Sequence, residues 1–355
     1  MDKVEQLQEY FSSPSINQST LKLYIGFDKK KDEESIYLKI GGLVDCKLTT
    51  PDYLDRLYYI SKLKTIPPPK IKLLLDSVLY STNYTGQPLS MLQHIVDREN
   101  ERVNYQGNWT NDRVFQEVLK HEDYYLEVIN AKGRPVISEE EDLRTTDIQR
   151  SVQSDSPFSF LWTDNPKAFT VLTQVPIYVP LQNVPMKGLL DFLVVDRIKE
   201  EIFIVDFKNC SHGKDPRYPM RKYRYDFQIA FYTELLKELL GGVEVTPQKA
   251  ALLGLEIPHT YKIVNPKIAM HMEETSENYL ICLTDMDYEL ALYGRSYRVD
   301  IQTSTGAFEK TYETVKVFPG VYDAISRYKL LHKSDTTNLE YYQTGGLIYS
   351  DLWTS

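Results

Sequence analysis

Two carboxylates and an amine stand where a buried hairpin would otherwise carry apolar side chains. The segment Lys187–Cys210 reads KGLLDFLVVDRIKEEIFIVDFKNC, with apolar runs Leu189–Val195 and Ile202–Phe207 joined by the polar turn Asp196–Glu201. These runs predict a two-stranded hairpin buried on at least one face. Asp191 interrupts the first run, and Asp206 closes the second with Lys208 two residues on. Side chains alternate along a strand, so Asp206 and Lys208 share a face. Burying two acids and a lysine costs several kcal/mol unless a partner compensates. A divalent cation held by Asp191 and Asp206, with Lys208 beside it, is the simplest partner. Downstream, the pattern predicts a helix over Asp226–Leu240 with Gln228 and Tyr232 at i and i+4 on one face. Its other face (Ile229, Leu235, Leu236, Leu239) is apolar and packs on the sheet. Gly241-Gly242 ends it.

A D-x-K on a strand is also what a surface salt-bridge ladder looks like, but the ordered series is more specific. Asp191, fourteen intervening residues, Asp206-Phe207-Lys208 and then Gln228-Ile-Ala-Phe-Tyr232 resembles the PD-(D/E)XK nuclease signature with the Q-x-x-x-Y motif of its RecB-like branch. Farther upstream, an opening segment ending in Ser19-Thr20-Leu21-Lys22 precedes YLKIGGLVDCKLTTP over Tyr37–Pro51. That layout resembles the first motif of phage-type, RecE-like exonucleases, in which a glycine pair leads a helix carrying a His, Glu or Asp. Gly41 and Gly42 are poor helix formers and make sense where a backbone passes close to something. The resemblance spans roughly residues 15–240. It implies an α/β (α+β) fold: a restriction-endonuclease-like core with a central mixed β-sheet flanked by helices, plus an N-terminal helical subdomain.

The resemblance also implies a site. Mg²⁺, with Mn²⁺ as a substitute, would be held by Asp191, Asp206, the Phe207 carbonyl and Asp45 as third ligand. Lys208 would orient the attacking water and help deprotonate it, and Gln228 and Tyr232 would position a phosphate or hold Lys208. The implied activity is a metal-dependent deoxyribonuclease, foremost a phage-type exonuclease resecting linear duplex DNA for recombination or repair. A homo-oligomeric ring around DNA and a single-strand annealing partner are further implications. An endonuclease on the same core, structure-specific or packaging-associated, is the alternative. An inactive DNA-binding or virion-structural descendant is the second.

The totals set bounds. At 355 residues, 42% hydrophobic and 26% charged, the chain can bury a sizeable core in one or two domains. We expect a mainly helical region over 1–155 and the nuclease core with a strand and helix extension over 156–355. No apolar run reaches the length of a membrane span, and MDKVEQLQEYF lacks the layout of a signal peptide. Three widely separated cysteines (Cys46, Cys210, Cys282) fit a reducing cytoplasm, that of a bacterial host if the chain is phage-encoded. They lack the four-Cys spacing of an iron–sulfur cluster, which counts against the cluster-bearing relatives of CRISPR adaptation.

The net charge, 41 − 50 = −9, does not advertise nucleic-acid binding, so a local positive surface must supply it. The stretch after Lys208 supplies one: Lys214, Arg217, Arg221, Lys222 and Arg224 are interleaved with tyrosines, next to His212. Arg and Lys hold phosphates and Tyr stacks on an exposed base, whereas a solvated loop is the plainer reading. The 27 tyrosines of the chain suit both half-buried faces and stacking.

Elsewhere, Ser19-Thr20 reads as a helix start and Lys29–Glu34 (KKKDEE) as a solvated turn. Helices are expected over Tyr53–Leu63, Lys70–Tyr80, Met91–Val103 and Asp112–Asn130, broken by Pro67-Pro68-Pro69 and Gly86-Gln87-Pro88. Ser138 with Glu141 is a capping box opening another. Ala168–Val179 alternates as the first core strand, pairing antiparallel with Lys187–Val195, and its Gln174 reads as outward-facing. Strands follow over Ala250–Glu256, Tyr261–Val264, Tyr279–Leu283 and Arg298–Gln302, with a helix over Asp285–Tyr297 and a polar, Tyr-rich tail. His94 and His121 read as solvated or core histidines, and His271, amid Met272-Glu273-Glu274, resembles a metal cluster only faintly and reads as a surface residue. The chain has no P-loop, no dinucleotide fingerprint, no zinc spacing and no G-x-S-x-G.

Overall fold

A computed structural model describes residues 3–26, 36–154, 156–211, 213–300 and 312–333. The Lys29–Glu34 run, His212 and the Tyr-rich tail lie outside them. Packing divides the chain into two units, residues 1–41 with 151–355 and residues 42–150. Residues 1–41, grouped with the helices in the sequence reading, belong here with the sheet. The chain opens with α1 (Lys3–Ser12) and α2 (Gln18–Leu23). Between them Ile16 pairs alongside Met186, its N–H donating to Pro185 and its carbonyl accepting from Lys187. Helix α2 begins ahead of the expected Ser19-Thr20: Asn17 is the cap, its side chain accepting from the Thr20 N–H.

The second unit begins within α3 (Ile36–Thr49) and carries α4 (Leu54–Leu57), β1 (Tyr59–Ile60), α5 (Pro69–Ser81), α6 (Gln93–Val103), α7 (Asn111–Leu119), α8 (Glu122–Ala131), β2 (Val136–Ile137) and most of α9 (Glu139–Ser154). The glycine pair lies inside α3 and not ahead of it. A Cβ at Gly42 would stand 2.9 Å from the Tyr58 hydroxyl, so the expected close approach exists at Gly42, whereas a Cβ at Gly41 would meet nothing within 4 Å. The helix expected over Tyr53–Leu63 is instead a short turn and a strand, and the one expected over Asp112–Asn130 is two. The capping box is formed as read: Glu141 accepts from the Ser138 N–H at 2.9 Å and its own N–H donates to Ser138 Oγ at 3.2 Å.

Glu99 of α6 is fully buried beneath Ser77, Ser81, Arg98 and Arg102. Burial pushes its carboxyl up, but the two hydroxyls and then the two guanidiniums more than reverse this, leaving it at about 2. A depressed carboxyl stabilises the fold above its unfolded value and loses that contribution as pH falls toward about 2. Glu99→Gln is expected to cost about 1.5–3 kcal/mol at neutral pH, and the gap from wild type should close between about pH 4.5 and 2 in urea melts. A gap that does not depend on pH would contradict this.

The first unit is built on a mixed seven-stranded sheet. β3 (Phe169–Leu181), β4 (Val184–Asp196) and β5 (Glu201–Cys210) form an antiparallel meander. On its other side β5 runs parallel to β7 (Tyr261–Ile263) along its start and to β8 (Lys267–Met272) along its end. β6 (Glu244–Val245) and β9 (Glu277–Cys282) close the edges antiparallel. The helices are α10 (Arg217–Tyr223), α11 (Tyr225–Leu239), α12 (Pro247–Ala250), α13 (Asp285–Tyr293) and α14 (Val321–Lys333), and β10 (Arg295–Asp300) pairs with β11 (Tyr312–Phe318). The strand expected over Ala250–Glu256 is the end of α12 and a 3-10 turn, and the helix expected to reach Tyr297 stops at Tyr293. Strand β8 was not anticipated. His271 lies on it and is buried, not at the surface as its charged neighbours suggest, with Nδ1 2.9 Å from Asn278 Oδ1.

Helix α11 packs on β3, β4, β5 and β8. It lies so close to β4 that a Cβ at Gly188 would stand 2.9 Å from Leu235 Cδ1 and 3.0 Å from Tyr232 Cδ1. Gly188→Val is therefore expected to destabilise the chain by about 1–3 kcal/mol in urea melts, with an unchanged melt refuting the contact. On the far side of α11, Glu234 accepts from the hydroxyls of Tyr288 and Tyr322 and from Lys237, which ties α13 and α14 to the same helix.

Candidate active site

The β4–β5 ladder ends at the pair Phe192↔Val205. One residue earlier on β4, Asp191 takes the place of the missing backbone partner: its Oδ2 accepts the Phe207 N–H at 2.9 Å. The N–H and C=O of one strand residue leave on the same side, so the Phe207 carbonyl faces the same opening. Asp206 is fully buried, and its Oδ2 lies 2.6 Å from Lys208 Nζ. The shared face read from alternation is thus realised as an ion pair. Oδ2 accepts no hydrogen bond among the described residues. Its second oxygen, Oδ1, accepts Gln228 Nε2 at 3.0 Å, and the same amide reaches the Tyr232 hydroxyl at 3.4 Å. Gln228 therefore holds the acid.

The Tyr232 phenol is held well above its ordinary range by burial, then by Tyr10 and by the charges of Asp206 and Asp191, so it stays protonated. Burial raises the Cys210 thiol to about 11, despite the pull of Lys208, which leaves it neutral. Lys22 of α2 closes the opening segment that carries the resemblance, though the sequence assigns it no role. It is buried, donates to the Tyr223 carbonyl at 2.8 Å, and is lowered to about 7 by burial and then by the Lys208 charge.

Opposite Asp191, the register passes from Thr173↔Phe192 to Val175↔Leu190 without pairing Gln174. Gln174 has φ +48° and is 4% exposed, so it is neither outward-facing nor in regular strand geometry. Lys3 Nζ caps the irregularity, donating to the Thr173 and Gln174 carbonyls at 2.8 and 2.7 Å. Asp45 lies half-buried on α3 in the second unit. Among the described residues no three of His, Cys, Asp and Glu gather as a metal-holding group.

The basic stretch after Lys208 is partly helical: Arg217, Arg221 and Lys222 lie on α10, and Lys214 precedes it. All four are exposed, with Arg217 paired to Asp215 at 3.0 Å. Arg224 differs. It adopts φ +52° as the single joint between α10 and α11, bonded to Asp226 and the Pro319 carbonyl, and its side chain is 11% exposed.

The sequence pattern of the PD-(D/E)XK nuclease superfamily matches residues 87–304. The chain belongs to that superfamily. One similar solved structure is that of a Eubacterium rectale protein provisionally assigned as an exonuclease. It is 16% identical, covering 68% of this chain and 80% of that one at a TM-score of 0.30. No curated protein matches. Among the described residues of this superfamily member, no helix is long and apolar enough to cross a membrane.

Proposed function

We propose that the chain is a divalent-metal-dependent deoxyribonuclease hydrolysing phosphodiester bonds, of the phage-type exonuclease kind that resects linear duplex DNA for recombination. The observation that supports this best is the convergence of Asp191, Asp206, Lys208 and Gln228 at the one point where β4 leaves β5. The donors there are hard oxygens, two carboxylates and the Phe207 carbonyl, and the buried Asp206 Oδ2 accepts no hydrogen bond among the described residues, with the Lys208 ammonium 2.6 Å away. Such a set fits Mg²⁺, or Mn²⁺ in its place. When bound, the cation supplies charge neutralisation at the phosphate and acidifies water.

The protein's own groups do the rest. Gln228 fixes the plane of the Asp206 carboxylate, and Asp206 fixes Lys208. From that position Lys208 orients a water toward phosphorus and offsets the negative charge that gathers on the phosphate oxygens. The water oxygen bonds to phosphorus as the bond to the departing nucleotide oxygen breaks; the water's proton passes by way of the Asp206 carboxylate to solvent, and the departing oxygen takes a proton from solvent. Lys214, Arg217, Arg221 and Lys222 hold the DNA backbone on the exposed side. Arg224, engaged within the fold, sets the angle between α10 and α11.

The decisive experiment follows cleavage of linear, nicked, circular and single-stranded DNA with Mg²⁺, Mn²⁺ and EDTA. Degradation of a linearised plasmid but not its closed circle is expected. Cleavage of the closed circle would favour an endonuclease, and no cleavage under any condition would refute the proposal.

A further inference from the structure

A row of rings and cations leads from Lys208 to the surface. Lys208 Nζ lies 5.3 Å from the centre of the Tyr225 ring, and Tyr225 stacks on Tyr223 at 5.7 Å and 30°. Lys222 Nζ then sits between Tyr223 and Tyr218, 5.2 and 5.5 Å from their centres. Exposure grows along the row: Tyr225 is partly buried, Tyr223 is 43% exposed and Tyr218 60%. Large exposed rings gain nothing for the fold by their position, yet these are held in place. Tyr223's carbonyl is bonded by the buried Lys22, and the joint at Arg224 is tied to Asp226 and Pro319.

Rings alternating with ammonium groups match one chemistry. Each base offers a π-face for stacking, and each phosphate between bases needs a cation. A paired base has its faces covered by its neighbours in the duplex and cannot use such a row. We infer that Tyr218, Lys222, Tyr223 and Tyr225 form a track for unpaired DNA, which carries a single strand, or the frayed end of a duplex, base by base toward Lys208. This deepens the nuclease proposal and rests on it for the role of Lys208, but binding alone tests the track.

The test uses the full chain in EDTA, with a short fluorescein-labelled oligothymidylate and a blunt duplex of the same length, by anisotropy. The wild type should prefer the single strand. Tyr218→Ala and Tyr223→Ala should each weaken its binding about tenfold, leave duplex binding unchanged, and be rescued by Phe at the same position. Both rings are exposed, and circular dichroism reports whether the variants fold. Alanine variants that bind the oligothymidylate like wild type, that lose both ligands equally, or a wild type that prefers duplex, would each overturn the track. Cleavage of the same DNA by wild type in Mg²⁺ is read separately. Tyrosine-dependent binding without cleavage keeps the track and rejects the nuclease reading, and cleavage with unaffected alanine variants does the reverse.

Discussion

Asp206→Asn is expected to lower Mg²⁺-supported DNA cleavage by about a thousandfold while the chain stays folded. Asparagine keeps the size of the buried side chain and an Oδ1 that can still accept Gln228 Nε2, now 3.0 Å from the carboxylate. What disappears is the negative charge facing Lys208 at 2.6 Å and the hard anionic donor a cation would need. The loss should therefore lie in cation affinity and kcat, with thermal melts close to wild type. Calorimetric titration with Mg²⁺, followed by initial rates on linear duplex, separates the two. Rates within about twofold of wild type would remove Asp206, and with it the whole assignment, from the chemistry.

Lys208→Met is the second. Methionine retains the apolar stem over Tyr225 but carries no ammonium, and cleavage should fall about 10²- to 10⁴-fold. Unlike Asp206→Asn, this change also touches stability: Asp206 is fully buried, and without Lys208 its charge loses the ammonium at 2.6 Å while keeping the Gln228 amide. Breaking one side of a buried pair costs about 3 kcal/mol, so a lowered urea midpoint should accompany the lost rate. Lys208→Arg should recover stability but little activity, because a planar guanidinium spreads its charge and does not place one proton-bearing nitrogen at the same point. If the Met variant cleaves normally once folded, Lys208 is a structural counter-ion and no more.

Those residues could be found by reading because strand periodicity is short-range. Two apolar runs around a polar turn predict the hairpin, and alternation alone puts Asp206 and Lys208 together. What spacing does not carry is which oxygen Gln228 reaches, or that Lys22 meets a carbonyl 201 residues away. Strand β8 escaped because a strand covered on both faces has no alternation to show: Ile268 through Met272 are all buried, and a histidine among them disguises the run. Ala250–Glu256 misled in the other direction. Its apolar content suits a strand, but Pro247 starts a helical turn and Gly254, at φ +69°, ends one. Gln174 was misread because regular alternation was assumed through a position where the backbone departs from it.

Helix α1 is fastened at both ends by lysines. Lys3 reaches the carbonyls of Thr173 and Gln174, and Lys187 of β4 reaches those of Tyr10 and Ser13 at 2.6 and 2.7 Å. The backbone facing Asp191 is therefore shaped partly by the first dozen amino acids, far from any motif. Trimming them for convenience would leave every signature residue in place and still slacken the strand across from the acid, so shortened and unshortened versions of this protein are not interchangeable in a kinetic comparison.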